Sequence, residues 1–472
     1  MNIEAKWRVH RPRLKNSRVA ILLAVALALI LTATALAGTL LSIAGYLDFG
    51  YPDTVREPTE GRPEHKLWYH DGKWWASMYS TQANSFTIHR LDWSNQTWVN
   101  TGVLIDERPN SRSDALWDGT TLYIVTYVKQ ENPGFTSNVD NQAWLNRYSY
   151  NTATGWTMEG DPRKGIVQHR LKVLSLEKDS TGRLWIAYIT RPSGTLEYQV
   201  YVRSSSDGGT NWTNELPLAT FFGPNAMTAV TQNEGKSDVV GLIAFQDNGG
   251  HKLGVMWSNE RPGVNEFFFA VHPDGSDYNA GWVMDNDNIP YTANDHINLA
   301  KTSSGQVFAA VKTSSTVPGE ALNAVVARDL NGSYSFHTIN PVESNDTKPI
   351  VVVYEPNSGP DKVYVFMSSN PTGGVICSVE AEITTPLSSM SFPVRNCGAT
   401  SIQGATIVIG DTPTYTMINN ATTTRQILNE STDIVLLASD QTNNVYVHTV
   451  VIDPPEGPVQ QTIRIHLPIV VK

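Results

Sequence analysis

The chain has 472 residues, 40% of them hydrophobic, and 34 glycines; that is enough apolar material for one large domain or two to three ordinary ones, so disorder throughout is excluded. Charged residues make up only 17%, whereas Trp (13) and Tyr (18) are plentiful beside Thr, Ser and Asn, a composition of strands and turns rather than of amphipathic helices. The net charge of −10 divides into +5 over the first 18 residues and −15 over the rest, and so acidic a body excludes a nucleic-acid partner, which needs a basic surface.

In chain order, residues 1–18 form a basic segment that predicts a cytoplasmic N-terminus. Val19–Leu47 follow, 29 residues without a charge, more than the ~20 that cross a bilayer core as a helix. Two readings stand: a retained signal-anchor over 19–47, which places the protein in the cell membrane with its body outside, or a signal peptide cleaved near Ala37 after Ala35-Leu36-Ala37, which makes the body secreted. Residues 48–62, rich in Pro, Gly and Glu, read as a linker, and 454–472 read as a Pro-rich tail or a closing strand.

Between them, over 63–453, one unit recurs: a turn with Asp or Gly, then a short aromatic or β-branched strand. It begins at Asp71-Gly72, Asp118-Gly119, Ser180-Thr181-Gly182, Asp238, Ser304-Gly305, Asp361 and Asp433. Seven copies with further strand-like runs between them and no sustained helical period predict an all-β fold, a seven-bladed β-propeller, with six blades as the alternative. A second marker runs in phase. Ser205-x-Asp207-x-Gly209-x-x-Trp212 is a complete turn motif with degenerate versions ending at Trp98, Trp156, Tyr334 and Phe392, and a copy missing near 273. Its carboxylate accepts the turn's own N–H groups, its glycine takes a positive φ, and its aromatic wedges between blades.

On these motifs the chain resembles the sialidase-like, Asp-box (BNR-type) β-propellers, and Lys66 to Trp75, Asp295 to Leu299 and Asn420 to Thr424 are similar to uncharacterised exported bacterial propellers. The resemblance implies glycan-related chemistry, and sialidase chemistry would need three Arg, a Tyr activated by Glu and an acid Asp. Arg112 and Asp114 could supply one Arg and the acid, with Arg170 and Arg425 as further Arg, but the first-blade Arg-Ile-Pro is replaced by Glu64-His65-Lys66 and no Tyr–Glu pair is legible.

The candidate ligand-binding residues are those placed where inner strands begin: Glu64, His65, Lys66, Arg112, Asp114, His169, Arg170, Asp295, His296, Asp346, Lys348 and Arg425. Two readings apply to them, solvated turn charges or one polar funnel of mixed sign. Carboxylate-pair hydrolysis through Glu64, Asp114, Asp295 or Asp346 is the enzymatic alternative, and a scaffold without a small ligand is the third. No metal motif occurs. Asp285-Asn286-Asp287-Asn288 could offer calcium oxygens, or be an ordinary Asx-rich turn. Trp68, Trp74 and Trp75 read as packing between blades or as sugar-stacking rings. Cys377 and Cys397 could bridge in an oxidising compartment. Six Asn-x-Ser/Thr sequons (Asn95, Asn211, Asn331, Asn345, Asn420, Asn429) predict exposed turns. The resulting expectation is a glycan or cell-surface protein as partner and no cofactor.

A reporter fused after Lys472 is expected to be active only outside the cytoplasm; cytoplasmic activity would contradict the topology read from the charge asymmetry.

Overall fold

The strands follow from two local signals. At the first repeat His70 pairs with Lys73 across Asp71-Gly72, whose φ values of 53° and 68° are those of a two-residue type I′ hairpin, so the Asp-Gly pair sets both the turn and the register. The strand that follows such a turn is apolar on both faces. Leu184–Thr190 is buried throughout, because neighbouring sheets cover it on either side and alternation has no solvent face to serve. The core accordingly lies between sheets: Val200 and Val202 of one sheet share a cluster with Val240 and Val255 of the next, and Phe308 and Val325 share one with Val351 and Val363.

A computed structural model describes residues 45–129, 142–191, 198–228, 238–261, 263–344, 346–369, 374–393, 406–409, 417–440 and 442–451. These form seven antiparallel sheets, six of four strands and one, the third, of five. The inner strands, blade by blade, are Leu67–His70, Ser111–Trp117, Leu174–Lys178, Val240–Asp247, Ile297–Lys301, Thr347–Tyr354 and Ile418–Thr422. The molecule is an all-β, seven-bladed propeller.

The ring is closed by its other end. Blade seven is ordered Ile418–Thr422, Ile434–Asp440, Val445–Val451 and then, outermost, Tyr46–Gly50. The first two residues of that strand were read as the end of an apolar span and the rest as linker; the closing position offered to 454–472 is therefore occupied, and that tail, like 1–44, lies outside the described residues. Buried polar groups fix the junction: Asp48 Oδ2 lies 2.5 Å from His448 Nδ1, and the Trp98 N–H donates to Asp48 Oδ1 at 3.2 Å.

Three further readings change, and that of the three tryptophans resolves to packing. The Asp238 copy is out of phase, since it opens the inner strand of blade four, where its carboxylate accepts from the Ser258 hydroxyl and the Glu260 N–H; the equivalent hairpin turn is at 247–250. The aromatic missing near 273 is Trp282, which a longer turn sets back and which packs on His272 and Trp185. Trp68, Trp74 and Trp75 are buried, so they pack and cannot stack on a sugar. Asn420 is buried as well, which removes it from the exposed sequons, and Asn345 lies outside the described residues. In the Ser205–Trp212 turn, Asp207 Oδ1 accepts from the Ser205 hydroxyl and the Asn211 N–H, both at 2.8 Å, and the Gly209 N–H donates to Ser205 Oγ at 2.9 Å. Buried Cys377 is disulfide-bonded; Cys397, the only other cysteine of the sequence, lies outside the described residues.

Asp48→Ala should lower unfolding free energy by about 1–3 kcal/mol, the usual penalty for leaving a buried polar partner, here His448, unsatisfied. Urea titration followed by tryptophan fluorescence checks this, and an unchanged midpoint would contradict it.

Candidate functional site: a filled propeller axis

Residues 51–66 run from the closing strand of blade seven to the inner strand of blade one, and their partners place them at the ring's centre. Thr59 Oγ1 meets Ser439 Oγ of blade seven at 2.9 Å. Glu60 and Glu57 receive Arg112 of blade two at 2.6 and 2.7 Å. A Cβ on Gly241 of blade four would stand 3.5 Å from Pro63. Arg62 reaches Asp295, beside blade five, at 3.0 Å. One segment can touch blades two, four, five and seven only where all inner strands converge.

The chain supplies this segment with charges of both signs, Glu57, Glu60, Arg62 and Glu64; the first three are ion-paired and Glu64 is hydrogen-bonded. Glu60 is buried, which alone would raise its carboxyl pKa, but Arg112, Arg62 and Lys129 outweigh burial and hold it well below the ordinary carboxylate range. Asp295 behaves alike: burial opposes ionisation, and Arg62 followed by His296 reverses the balance. His296 Nδ1–H donates to the ionised Asp295 Oδ1, 2.7 Å away, and burial draws the imidazole pKa down to about 4, so the ring is neutral at pH 7. Glu64 accepts the hydroxyl of Tyr127 in a short hydrogen bond and the Arg62 N–H at 3.0 Å. Burial, then Glu64, pushes the Tyr127 phenol well above its ordinary value.

Below this layer lies a second. Asp114 accepts the N–H groups of His65 (2.9 Å) and Leu176 (2.8 Å), tying blades one, two and three, and Arg425 of blade seven crosses the axis to the same carboxylate and to Glu177. Lys66 donates to the Ser113 carbonyl at 3.1 Å. Beneath it the channel opens toward the ends of the inner strands as a cavity of about 570 Å³, bounded by His65 and Arg425 and by Trp117, Lys178, Thr181 and Leu242.

The predicted residues thus separate into groups. Glu64, Arg112, Asp295, His296 and Lys348 gather around the axial segment, where Lys348 also donates to Asn420 Oδ1 at 2.5 Å. His65, Lys66, Asp114 and Arg425 form the lower layer, and Arg425 follows its inner strand instead of preceding it. His169 pairs with Glu215 at 3.1 Å beside blade three, and the neighbouring Arg170 carbonyl accepts the Thr190 hydroxyl. Asp346 is buried in its own turn, accepting from Asn340 Nδ2 at 2.8 Å. Sequence reasoning missed Glu57, Glu60, Arg62, Tyr127, Lys129 and Lys312. The charged run from Glu57 to Glu64 was the available signal, hidden because Pro and Gly marked it as linker. Asp285 of the calcium reading binds Arg328 at 2.7 Å and Tyr334 at 2.5 Å, and among the described residues no His, Cys, Asp or Glu cluster could hold a metal.

No protein-family model and no curated protein matches the sequence. Among solved structures the chain is similar to polysaccharide lyase Uly1, with 11% identity over 86% of this chain and 92% of that one and a TM-score of 0.43. It is also similar to the NanB sialidase of Streptococcus pneumoniae (10%, 87% and 71%, TM-score 0.38) and to the α-L-arabinofuranosidase Arb93A of Fusarium graminearum (15%, 72% and 92%, TM-score 0.42). Identities this low assign no activity.

Arg112→Met should destabilise the protein by about 3–5 kcal/mol at pH 7, because it leaves Glu60 and Glu57 under-compensated in the interior. Glu60's folded pKa is depressed, so the stability it contributes is present above its ordinary value of 4.5 and is lost as pH falls below it. The gap between wild type and variant in urea unfolding is therefore expected to narrow below pH 4.5. A gap that stays constant with pH would contradict the assignment.

Proposed function

We propose that this protein is an extracytoplasmic propeller, held at the membrane through its N-terminal apolar segment or released by cleavage, that binds a polar ligand over the mouth of its filled axis. A glycan or the polar surface of another cell-surface protein is the ligand class. The observation that carries this reading is the contrast in depth along the axial network. Glu60 and Arg112 are buried, while the side chains around them keep partial exposure: Glu57 33%, Lys312 22%, Asp295 20% and Lys129 15%. Charges of both signs, with Glu57 held by buried Arg112, Lys129 by buried Glu60 and Asp295 by buried His296, present donors and acceptors in set positions, and a preorganised site loses less entropy on binding than a mobile one.

The hydrolytic alternative has one observation in its favour, the Tyr127–Glu64 hydrogen bond beside Arg112, since a tyrosine activated by a glutamate is a nucleophile of the kind sialidase chemistry uses. Its burial weighs against it. Tyr127 is 1% exposed and its phenol is pushed away from ionisation, so no substrate carbon can approach it without displacing the axial segment.

A glycan array with the purified protein, run beside hydrolysis of fluorogenic glycosides, tests the reading. Binding without turnover is expected, weakened about tenfold or more by Lys129→Glu or Lys312→Glu. Turnover abolished by Tyr127→Phe would overturn it in favour of the enzyme, and glycan binding indifferent to both lysine variants would place the site elsewhere.

A further inference from the structure

The cavity at the opposite end of the axis is a separate matter from the mouth, because the two buried layers stand between them. Most of its charged lining is matched: Lys178 pairs with Asp118, Arg425 with Asp114 and Glu177, Asp179 accepts the Thr181 and Arg183 N–H groups and the Trp185 indole N–H, and Lys301 donates to the Ala244 carbonyl. Gln426 is held at both ends by the Tyr69 backbone. The exception is on the floor. His65 is 4% exposed, and neither of its ring nitrogens has a hydrogen-bond partner; Nδ1 stands 3.9 Å from Asp114 Oδ1, beyond bonding reach. Arg425 Nε is a second buried donor without a partner.

Buried polar groups are normally satisfied, and a buried, unpartnered imidazole among the residues lining a cavity is suited to a ligand. Burial, then the nearby Arg425 and Lys66, draws the His65 pKa well below its ordinary value, so the ring is neutral. It carries one N–H and one bare nitrogen. Together with the Arg425 Nε–H, the floor offers donor, acceptor and donor. A phosphate or carboxylate satisfies the donors only, and would sit against the bare nitrogen and the Glu177 and Asp114 carboxylates. A cation satisfies the acceptor only, beside a guanidinium. A hydroxyl both donates and accepts. Half-exposed Trp117 supplies an apolar wall on which the C–H face of a sugar ring can lie.

We propose that this lower cavity is a second binding site, for a neutral polyhydroxylated molecule of mono- to disaccharide size, with His65 and Arg425 as its hydrogen-bonding floor and Trp117 as its wall. It does not depend on the ligand of the upper mouth.

The test titrates the full-length, detergent-solubilised protein, with 15N-labelled histidine, against maltose, lactose, cellobiose and trehalose, with inorganic phosphate as the anionic probe. A neutral sugar is expected to shift the His65 imidazole nitrogens and to raise the melting temperature, while phosphate does neither. Thr181→Trp, an exposed rim substitution that fills the mouth of the cavity without touching its floor, should weaken that sugar about tenfold or more. His65→Phe should abolish the binding, and if that variant fails to fold the rim variant alone decides. Lys312→Gln, a partly exposed side chain 4.0 Å from Asp295 at the other end of the axis, should leave it unchanged, which separates this site from the upper one. Failure of every sugar at millimolar concentration, binding unaffected by Thr181→Trp, or a His65 response to phosphate would each overturn the proposal.

Discussion

Glu60 sits on the axis of the ring, out of water, between the guanidiniums of Arg62 and Arg112 and near the ammonium of Lys129. Seven sheets arranged radially bring their inner strands together without filling the space among them, and the charges where those strands begin would otherwise face one another across a channel. Arg112 from blade two, Asp295 beside blade five and Lys348 from blade six carry such charges. A segment carrying both signs threaded through the middle gives each an opposite within reach. Removing ions from water is favourable only when partners and hydrogen bonds replace the lost solvent, so the network holds as a unit or not at all.

The same stretch of chain that fills the axis begins as the strand that closes the ring. Tyr46–Gly50 completes blade seven, Thr59 meets Ser439 of that blade, and eleven residues after Gly50 the chain is at Gly61, beside Thr422 on the innermost strand. Ring closure and axial filling are therefore not separable in this molecule. Opening blade seven at its outer edge loosens the anchor of the segment on which Arg112, Asp295 and Lys129 depend. A rigid axis in turn allows half-exposed side chains above it to keep fixed positions.

Most blades were legible because the hairpin carries its own turn chemistry and the second strand is dominated by apolar residues on both faces. Asp71-Gly72 before Lys73–Ser80 needs nothing beyond local rules. The closing strand was not legible, since Tyr46 and Leu47 continue an apolar run that reads as membrane span, and a strand that pairs across the whole length of the chain leaves no local mark. The axial segment was read as linker for a related reason: Pro52, Pro58, Gly61 and Pro63 break secondary structure, and the same breaks let a chain cross a narrow channel. Charge at the starts of inner strands was correctly seen as concentrated. Its partners were invisible, because Glu57, Glu60 and Arg62 lie outside every repeat. Arg425 was placed at the wrong end of its strand, since Asn419 to Thr424 has too little apolar character to show where blade seven begins.

The central claim is that residues 57–66 are an ordered, buried part of the propeller and not a tether leading to it. Amide hydrogen exchange at near-neutral pH, resolved over that stretch, tests it most directly. Glu60, Glu64, His65 and Lys66 are buried, and the stretch's own N–H groups are engaged: Glu60 donates to the Glu57 carbonyl, Arg62 to Glu64 Oε2 and His65 to Asp114 Oδ1. The account predicts that peptides spanning 57–66 exchange as slowly as those of the inner strand Ser111–Trp117, with protection lost together in both when Arg112 is replaced by Met. Exchange of 57–66 at the rate of an unstructured chain, beside a protected Ser111–Trp117, would contradict it.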